Sequence, residues 1–261
     1  MIHLRLSGGL GNQLFLFAYA LRLADYNPLK IRVYAGDLSN YSVARTFELD
    51  RILDVPFFPC NFACTLLLRS RIPRLFDYPL FFNDKNYLSV GKGSNVNTGF
   101  VDGYFQFDQP WSFIERSIAF FIETNILRKP TVRSGLVVHA RGGDFLHDRQ
   151  SHSHQLEFYR SVLDRYPSLP NKGRICCSDP YYASEIIRFF DDYGVNLSYT
   201  HSTDTSWLDD FNALSSASMV LGSRSTFAWW ATALHEIPSF FPHDFNIGVG
   251  RNLYHPAEMY V

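Results

Sequence analysis

The chain has 261 residues, of which 46% are hydrophobic, and a formal net charge of −1. It can therefore bury the core of one or two α/β domains, and it lacks the basic surface field that recruits nucleic acid. Its four cysteines do not suggest a disulfide framework, and no run of about 18 apolar residues is present to cross a membrane. Because no basic, apolar leader opens the sequence, a cytoplasmic enzyme is expected.

The first predicted elements form a βαβ unit of strand, helix and strand, over residues 2–6, 13–25 and 31–34. Gly8, Gly9 and Gly11 separate the first strand from the helix. Glycines at such a junction let a ligand approach the backbone closely, and a helix N-terminus favours an anion. Leu14 replaces the last glycine of the dinucleotide-binding pattern, which disfavours a nicotinamide cofactor. Taken alone, the glycines are equally compatible with a tight turn that binds nothing.

The middle of the chain, residues 41–88, contains many aromatic residues and prolines, and arginines interrupt its apolar runs. The stretch is predicted to be irregular overall. Residues 55–82 within it are predicted to form helices and loops packed on the core, and a membrane-surface patch is the less favoured alternative. A strand over 100–105 and a helix over 111–127 follow. A domain boundary is expected near 129–134, where a proline and a cluster of charges lie.

The second half of the chain alternates between short apolar strands and amphipathic helices. This alternation predicts a parallel sheet with helices on both faces. The strands are expected at residues 135–139, 173–177, 197–200, 219–222 and 239–241, and the helices at 154–166, 180–193, 207–217 and 226–235. In such sheets ligands lie beyond the carboxyl ends of the strands, so polar residues just after a predicted strand are candidates for a binding site.

Two polar clusters follow predicted strands of the second half. In the first, Arg141 carries a planar fork of donors that suits a diphosphate, and Asp144 would either hold that fork or accept a proton. The alternative is an ion pair of these two residues that braces a turn. In the second cluster, Ser225 and Thr226 precede a helix, where they would grip phosphate oxygens or merely cap the helix. The tryptophan pair that follows is expected in the core.

Two further groups of polar residues are weaker candidates. Asp210 lies near the start of a predicted helix, where it would favour the helix dipole or accept hydrogen bonds from a guanine edge. The loop with His147, Asp148, His152 and His154 would hold a metal, supply a base from a loop that closes over a substrate, or simply face water. The metal is the least favoured of these.

The sequence also lacks several motifs that would indicate other chemistry. It has no Asp-x-Asp for a metal–diphosphate, no phosphate-binding Gly-x-x-x-x-Gly-Lys loop and no Gly-x-Ser-x-Gly nucleophile turn. Cys60 and Cys64 have no second Cys or His pair at zinc-site spacing, so no metal site is expected. Kinase and hydrolase functions are therefore disfavoured, and nucleotide-sugar transfer without a metal remains open.

Five short motifs, taken in order along the chain, resemble those of one family. They are Gly8-Gly9-Leu10-Gly11-Asn12-Gln13-Leu14-Phe15, Gly103-Tyr104-Phe105-Gln106, His139-x-Arg141-x-Gly143-Asp144, Ser178-Asp179, and Asp210 with Ser225-Thr226-Phe227-x-Trp229-Trp230. Each motif alone is weak, but the ordered set is specific. It resembles the bacterial α-1,2-fucosyltransferases that use GDP-fucose.

The resemblance implies an α/β, GT-B-like fold of two Rossmann-like domains facing a cleft. Residues 1–131 would form the acceptor-side domain and residues 132–261 the GDP-sugar-binding domain. The implied reaction is an inverting, metal-independent transfer of L-fucose from GDP-fucose to the 2-hydroxyl of a galactosyl acceptor, in surface polysaccharide or O-antigen synthesis. GDP-fucose would be a substrate, no cofactor is implied, and the acceptor would be an oligosaccharide or glycolipid. Peripheral association with the inner membrane surface is left open.

The resemblance also assigns roles to residues. The donor-binding set would be Gly11, Asn12, Gln13, His139, Arg141, Ser178, Asp210, Ser225, Thr226 and Phe227. Arg141 would bind the β-phosphate and stabilise the departing GDP, and Asp144 would be the second catalytic residue. The three residues from Ser225 would line the phosphate pocket, while His139 and Asp210 would contact the nucleoside.

Two departures from the family pattern leave questions open. Gly142 stands where the family has a second arginine, and Phe145 stands where it has a tyrosine. A glycosyltransferase with another nucleotide-sugar donor and a non-catalytic GDP-sugar-binding or glycan-binding relative are therefore kept as alternatives. The general base is not assigned among Asp144, Asp148 and His147.

Overall fold

The computed structural model describes residues 1–40, 45–70, 81–83, 98–105, 111–125, 133–142, 149–200, 206–242 and 258–260. The chain divides into two compact units. The first unit comprises residues 1–127 and 246–253, and the second comprises residues 128–245 and 254–261. The described residues contain ten strands and seven α-helices, and each unit is built on its own parallel sheet. The predicted α/β class is confirmed.

The first unit has a four-stranded sheet in the order β2-β1-β4-β3, and every neighbouring pair is parallel. Its described elements are the strands β1 (Ile2–Arg5), β2 (Ile31–Tyr34), β3 (Phe81–Phe82) and β4 (Gly99–Val101), and the helices α1 (Leu10–Leu23), α2 (Phe62–Arg69) and α3 (Trp111–Thr124). All four residues of β1 are buried, as expected for a central strand of a parallel sheet.

Helix α1 is the buried centre of the first unit. All its residues except Asn12 and Arg22 are buried, and Tyr19 stacks on Phe105 with ring centroids 4.1 Å apart. The helix begins three residues before the predicted start, because Gly9 is extended and serves as the N-cap. The helix therefore follows the glycine turn directly.

The second unit has a six-stranded parallel sheet in the order β10-β9-β8-β5-β6-β7. Its strands are β5 (Ser134–His139), β6 (Lys172–Cys176), β7 (Asn196–Tyr199), β8 (Ala217–Leu221), β9 (Ser239–Phe241) and β10 (Glu258–Tyr260), and its helices are α4 (Arg149–Arg165), α5 (Pro180–Asp191), α6 (Ser206–Ser215) and α7 (Thr226–Ala233). The predicted strands and helices of this half are confirmed, with shifts at their ends. The short strand β10 was not predicted.

The core of the second unit lies between the sheet and the helices α4 and α5. Inward-facing residues of β5, β6 and β8, such as Val138, Ile175 and Leu221, pack against Tyr159 of α4 and Phe190 of α5. Apolar side chains at strand and helix periods thus meet in one layer. The sheet order makes β5 the neighbour of both β6 and β8, so the loops after these three strands lie side by side.

Among the helices that the structure describes, none combines the length and the apolar character needed to cross a membrane.

Candidate functional site

The loops after β5 and β8 are joined by two direct contacts. His139, the last residue of β5, has its Nδ1 atom 2.8 Å from Oγ of Ser223. Nη1 of Arg141 donates to the backbone carbonyl of Arg224 at 2.8 Å. Two of the polar clusters found in the sequence therefore form one group at the carboxyl edge of the sheet, where α/β proteins bind ligands.

Burial and a neighbouring cation keep His139 neutral. Removal from water and, to a smaller extent, the nearby charge of Arg141 lower the pKa of its imidazole to about 4. The ring lies 6.1 Å from the Phe227 ring, which in turn packs against Phe211 at 5.4 Å. Because Nδ1 of this neutral imidazole bonds to Ser223, Nε2 is the nitrogen that can form a hydrogen bond to a ligand.

Helix α7 begins beside this group. Ser225 is its N-cap, and the Ser225 hydroxyl accepts from the backbone N–H of Ala228 at 3.5 Å. Capping, one of the two roles predicted for Ser225, is thus realised in the structure, and it is compatible with an anion at the same helix end. Thr226 and Phe227 are half-buried at the first turn. Trp229 and Trp230 lie in the core, as predicted.

The loop after β5 also touches the loop after β6. Asp179 caps α5 by accepting from the N–H groups of Tyr181 and Tyr182 at 2.9 and 3.0 Å, and Ser178 before it is exposed. A Cβ atom added at Gly142 would lie 2.8 Å from the Cβ of Asp179. This close approach gives a physical reason for a glycine at the position where the resembling family carries an arginine.

Asp210 lies on α6, beside Arg174 and Cys176 of β6. Its Oδ1 accepts from Nη2 of Arg174 at 3.4 Å, and the thiol of Cys176 lies close to the same carboxylate. Burial raises the pKa of Asp210, and hydrogen bonding from Cys176 and the charge of Arg174 oppose this. Cys176 pairs with His139 in the sheet register, so Asp210 is one strand away from the group around Arg141.

In the first unit, the glycine turn is held by internal contacts. Gly8 has φ of +72°, and a Cβ atom there would lie 2.3 Å from Nδ2 of Asn12. The side chain of Gln13 is fully buried: its Nε2 donates to the carbonyls of Gly8 and Thr46 at 3.1 and 2.8 Å, and its Oε1 accepts from the Glu48 N–H at 3.1 Å. Since the amide is spent on these bonds, we expect Gln13 to shape the turn rather than to contact a donor.

The N-terminus of α1 receives a carboxylate from the chain itself. The backbone N–H of Leu10 donates to the side chain of Glu48, whose pKa is raised by burial and lowered in part by Thr46 and Arg45. The N-terminus of α1, which was predicted to favour a bound anion, is therefore already occupied by the Glu48 side chain. Gly11 is buried within the first turn, and Asn12 is half-buried.

A buried ionic network at the carboxyl edge of the first sheet was missed in the sequence. Arg5, at the end of β1, donates from Nε to Asp37 at 3.0 Å and from Nη1 to Asp102 at 3.2 Å, and the Tyr34 hydroxyl donates to Asp37 at 2.9 Å. Arg5 and Asp102 are 2% and 1% exposed. The rule that flagged the other clusters, polar residues just after a predicted strand, would have found Asp37 but not Asp102, which falls inside the strand predicted over residues 100–105.

A histidine lies between Cys60 and Cys64, which the sequence did not indicate. Nδ1 of His3 is 3.8 Å from Sγ of Cys60, and Nε2 is 3.6 Å from Sγ of Cys64. The two thiols thus face different ring nitrogens. Within the described part of the chain, no group of three His, Cys, Asp or Glu residues is arranged to hold a metal ion.

Several predicted site residues lie outside the described residues: Gln106, Gly143, Asp144, Phe145, His147 and Asp148. The role of Asp144 and the choice of general base stay predictions.

No known protein-family model matches the chain, and no curated protein matches it. Solved structures do. NodZ α-1,6-fucosyltransferase co-crystallised with GDP is similar with a TM-score of 0.57 and 16% identity, over 91% of this chain and 92% of that chain. NodZ from Bradyrhizobium gives a TM-score of 0.56 at 16% identity over the same shares of the two chains.

A FUT1 variant from Arabidopsis thaliana in complex with GDP is similar with a TM-score of 0.56 and 13% identity, over 98% of this chain and 72% of that chain. The chain has the fold of these proteins. The predicted GT-B-like α/β class is confirmed by this likeness, which at such identities shows the fold alone.

Proposed function

We propose that the chain is a glycosyltransferase that transfers L-fucose from GDP-fucose to a sugar hydroxyl. The observation that carries the proposal is the meeting of Arg141 and His139 with Ser223 and the N-terminus of α7, at the carboxyl edge of the second sheet. The fold adds support, because solved structures of the same fold include NodZ fucosyltransferase with GDP and with GDP-fucose. The ordered motifs support the same donor.

The chemistry of the reaction fits these residues. The acceptor oxygen forms a bond to C1 of fucose while the bond from C1 to the β-phosphate oxygen breaks, and GDP leaves with the bonding electrons. Negative charge grows on the β-phosphate, where the guanidinium of Arg141 and the positive end of α7 would stabilise it without a metal. The contact with the Arg224 carbonyl fixes one nitrogen of the guanidinium and thereby its direction.

The neutral His139 would add a hydrogen bond to the nucleotide without adding charge, and Ser225, Thr226 and Phe227 would line the phosphate pocket. Asp210, one strand away, would accept hydrogen bonds from the guanine edge. The proton of the acceptor hydroxyl would pass to a base among Asp144, Asp148 and His147, which keeps these candidates open.

The finer assignment rests on the ordered motifs alone. It comprises inversion at C1, the 2-hydroxyl of a galactosyl acceptor, a place in surface polysaccharide or O-antigen synthesis, an acceptor-side domain over residues 1–131 and a donor-side domain over residues 132–261. A cytoplasmic location with peripheral association at the inner membrane surface belongs to the same proposal. The space-limited Gly142 favours one alternative, a related transferase with another nucleotide-sugar donor.

The test is fucose transfer by wild type, Arg141→Ala and the matched control Arg188→Ala, whose arginine is exposed on α5. Each protein is given GDP-fucose and a panel of galactosides in EDTA, and GDP release and product linkage are followed. We expect transfer to O-2 of galactose, a fall of turnover of about 100-fold or more in Arg141→Ala, and no change in Arg188→Ala. Near-normal turnover of Arg141→Ala would contradict the role of Arg141. Transfer from GDP-mannose or a UDP-sugar instead would establish the alternative donor.

A further inference from the structure

Two side chains of α4 hold the backbone that carries Arg141. The backbone N–H of Arg141 donates to Oε1 of Gln155 at 3.3 Å, and the hydroxyl of Tyr159 donates to the carbonyl of His139 at 2.7 Å. Gln155 is 6% exposed, and Tyr159 is fully buried. The two contacts thus hold the backbone at residues 139 and 141, on either side of Ala140.

The amide of Gln155 is itself fixed by a second helix. Its Nε2 donates to the hydroxyl of Tyr182, on the first turn of α5, at 2.7 Å, and Tyr182 is 2% exposed. Because the backbone N–H of Arg141 is a donor, the amide oxygen must face it, and the amide nitrogen must then face Tyr182. Only one orientation of the amide satisfies both contacts.

The position of this chain of contacts indicates more than a stabilising role. Gln155 and Tyr182 are polar groups within a layer that is otherwise apolar, formed by Val138, Val162 and Ile186 among others. Apolar side chains of similar volume would fill the same space without the cost of burying polar atoms. A fully satisfied buried network, in contrast, holds one backbone conformation.

We propose that Gln155, with Tyr182 behind it, is a positioning residue for Arg141. The pair fixes the Arg141 backbone, while the Arg224 carbonyl fixes its guanidinium. Held at both ends, the guanidinium points where charge grows on the leaving phosphate. This inference rests on the function proposed for Arg141. It adds two residues that no motif of the sequence singled out.

A double-mutant cycle tests the inference. Gln155→Met keeps the volume but removes both hydrogen bonds, and Tyr182→Phe removes only the outer one. In the wild-type background we expect Gln155→Met to lower kcat about 10-fold with little change of KM for GDP-fucose, and Tyr182→Phe to lower it less. Gln155→Glu accepts from both the Arg141 N–H and the Tyr182 hydroxyl, so it should restore most of the loss.

The decisive comparison is Gln155→Met in the Arg141→Ala background, measured in single turnovers at high enzyme concentration. If Gln155 acts through Arg141, the second substitution causes no further fall. An equal fall in both backgrounds would overturn the inference and leave a merely structural role. Ser215→Ala, which removes another buried hydrogen bond, to the Ala231 carbonyl, is the control and should leave kcat unchanged. Should Gln155→Met not fold, the same cycle is run with Tyr182→Phe.

This result is separable from the fate of the proposed function. If Arg141→Ala alone transfers fucose at the wild-type rate, the role of Arg141 fails before the cycle is read, and the inference fails with it. If Arg141→Ala is impaired and the cycle is additive, the proposed function stands and only the positioning role of Gln155 is refuted.

Discussion

The imidazole of His139 shows how its surroundings set the charge of a single residue at the site. It ends a buried strand, bonds to the Ser223 hydroxyl and lies near the cation of Arg141. Burial and the charge of Arg141 both disfavour a second proton on the ring, and so they lower its pKa. A neutral ring beside the guanidinium avoids like-charge repulsion, so the positive charge at this edge is concentrated on Arg141.

This protonation state makes stability depend on pH in a predictable direction. The pKa of His139 is about 4 in the folded chain against 6.5 for an ordinary histidine. Between these values the unfolded chain binds a proton that the folded chain does not, so stability falls as the pH is lowered. By about pH 4.5 the wild type should lose about 2–3 kcal/mol relative to its own value at pH 7 through this group.

Urea unfolding of wild type and His139→Asn at both pH values measures this loss. Asparagine can still bond to Ser223 but has no titrating ring, so the variant should lack this part of the pH dependence. Parallel pH curves for the two proteins would show that His139 takes up its proton normally in the folded state.

Single residues also show where sequence reasoning stopped. Asn12 and Gln13 belong to one motif, and the sequence treats them alike. The structure separates them, because Gln13 is fully buried with its amide bonded to backbone 33 to 35 residues away as well as to Gly8, whereas Asn12 is half-buried. A motif records which residue types occur together, but the direction of each side chain follows from the helix phase and from tertiary partners.

At the scale of elements, the approach of the β5 loop to the start of α5 limits what Gly142 can become. The conflict arises at Cβ, 2.8 Å from the Asp179 Cβ, before any longer side chain is considered. We therefore expect Gly142→Ala to cost about 1–3 kcal/mol of unfolding free energy, and Gly142→Arg to cost about as much. Introducing at position 142 the arginine of the family that the motifs resemble should weaken GDP binding rather than improve it.

Urea denaturation and GDP titration of the two variants check this pair of expectations. Gly194→Ala is the matched control, because nothing lies within 4 Å of its added Cβ, although its φ of +72° brings a backbone cost of its own. A neutral Gly142→Ala, or tighter GDP binding by Gly142→Arg, would mean that the loop moves aside easily.

The elements themselves were largely predictable, and the exceptions have a common cause. Strands and helices of the second half were found because apolar residues recur there at periods of two and 3.6. Helix α2 lies in the stretch predicted to form helices and loops, although no bounds were predicted for it. Strand β10, which was not predicted, spans only three residues and forms by pairing with β9. Short elements carry little periodic signal, and pairing partners decide them.

At the scale of the whole molecule, strand order decides which predicted residues meet. The sequence indicates that polar loops follow strands, but it does not say that β5 lies between β6 and β8. The network of Arg5, Asp37 and Asp102 was missed for the same reason, since its members are 32 and 97 residues apart and are assembled by the order β2-β1-β4. Long-range topology is the part of the site that local patterns do not encode.

The two units should respond differently to GDP. The helix N-terminus of the first unit is matched by Glu48, whereas Arg141 and the start of α7 in the second unit carry positive charge toward the proposed phosphate pocket. We therefore expect GDP to slow amide hydrogen exchange mainly in residues 139–142 and 223–228, with a smaller effect in residues 8–13.

Hydrogen exchange with and without saturating GDP, read by mass spectrometry, measures this distribution, and Arg141→Ala should lose most of the protection in the second unit. Protection confined to residues 8–13 would reverse the proposed assignment, placing the nucleotide on the glycine turn despite its internal carboxylate. Protection of both regions to equal extent would mean that the first unit also binds the nucleotide, although Glu48 already bonds to its helix N-terminus and the Gln13 amide is bonded to backbone.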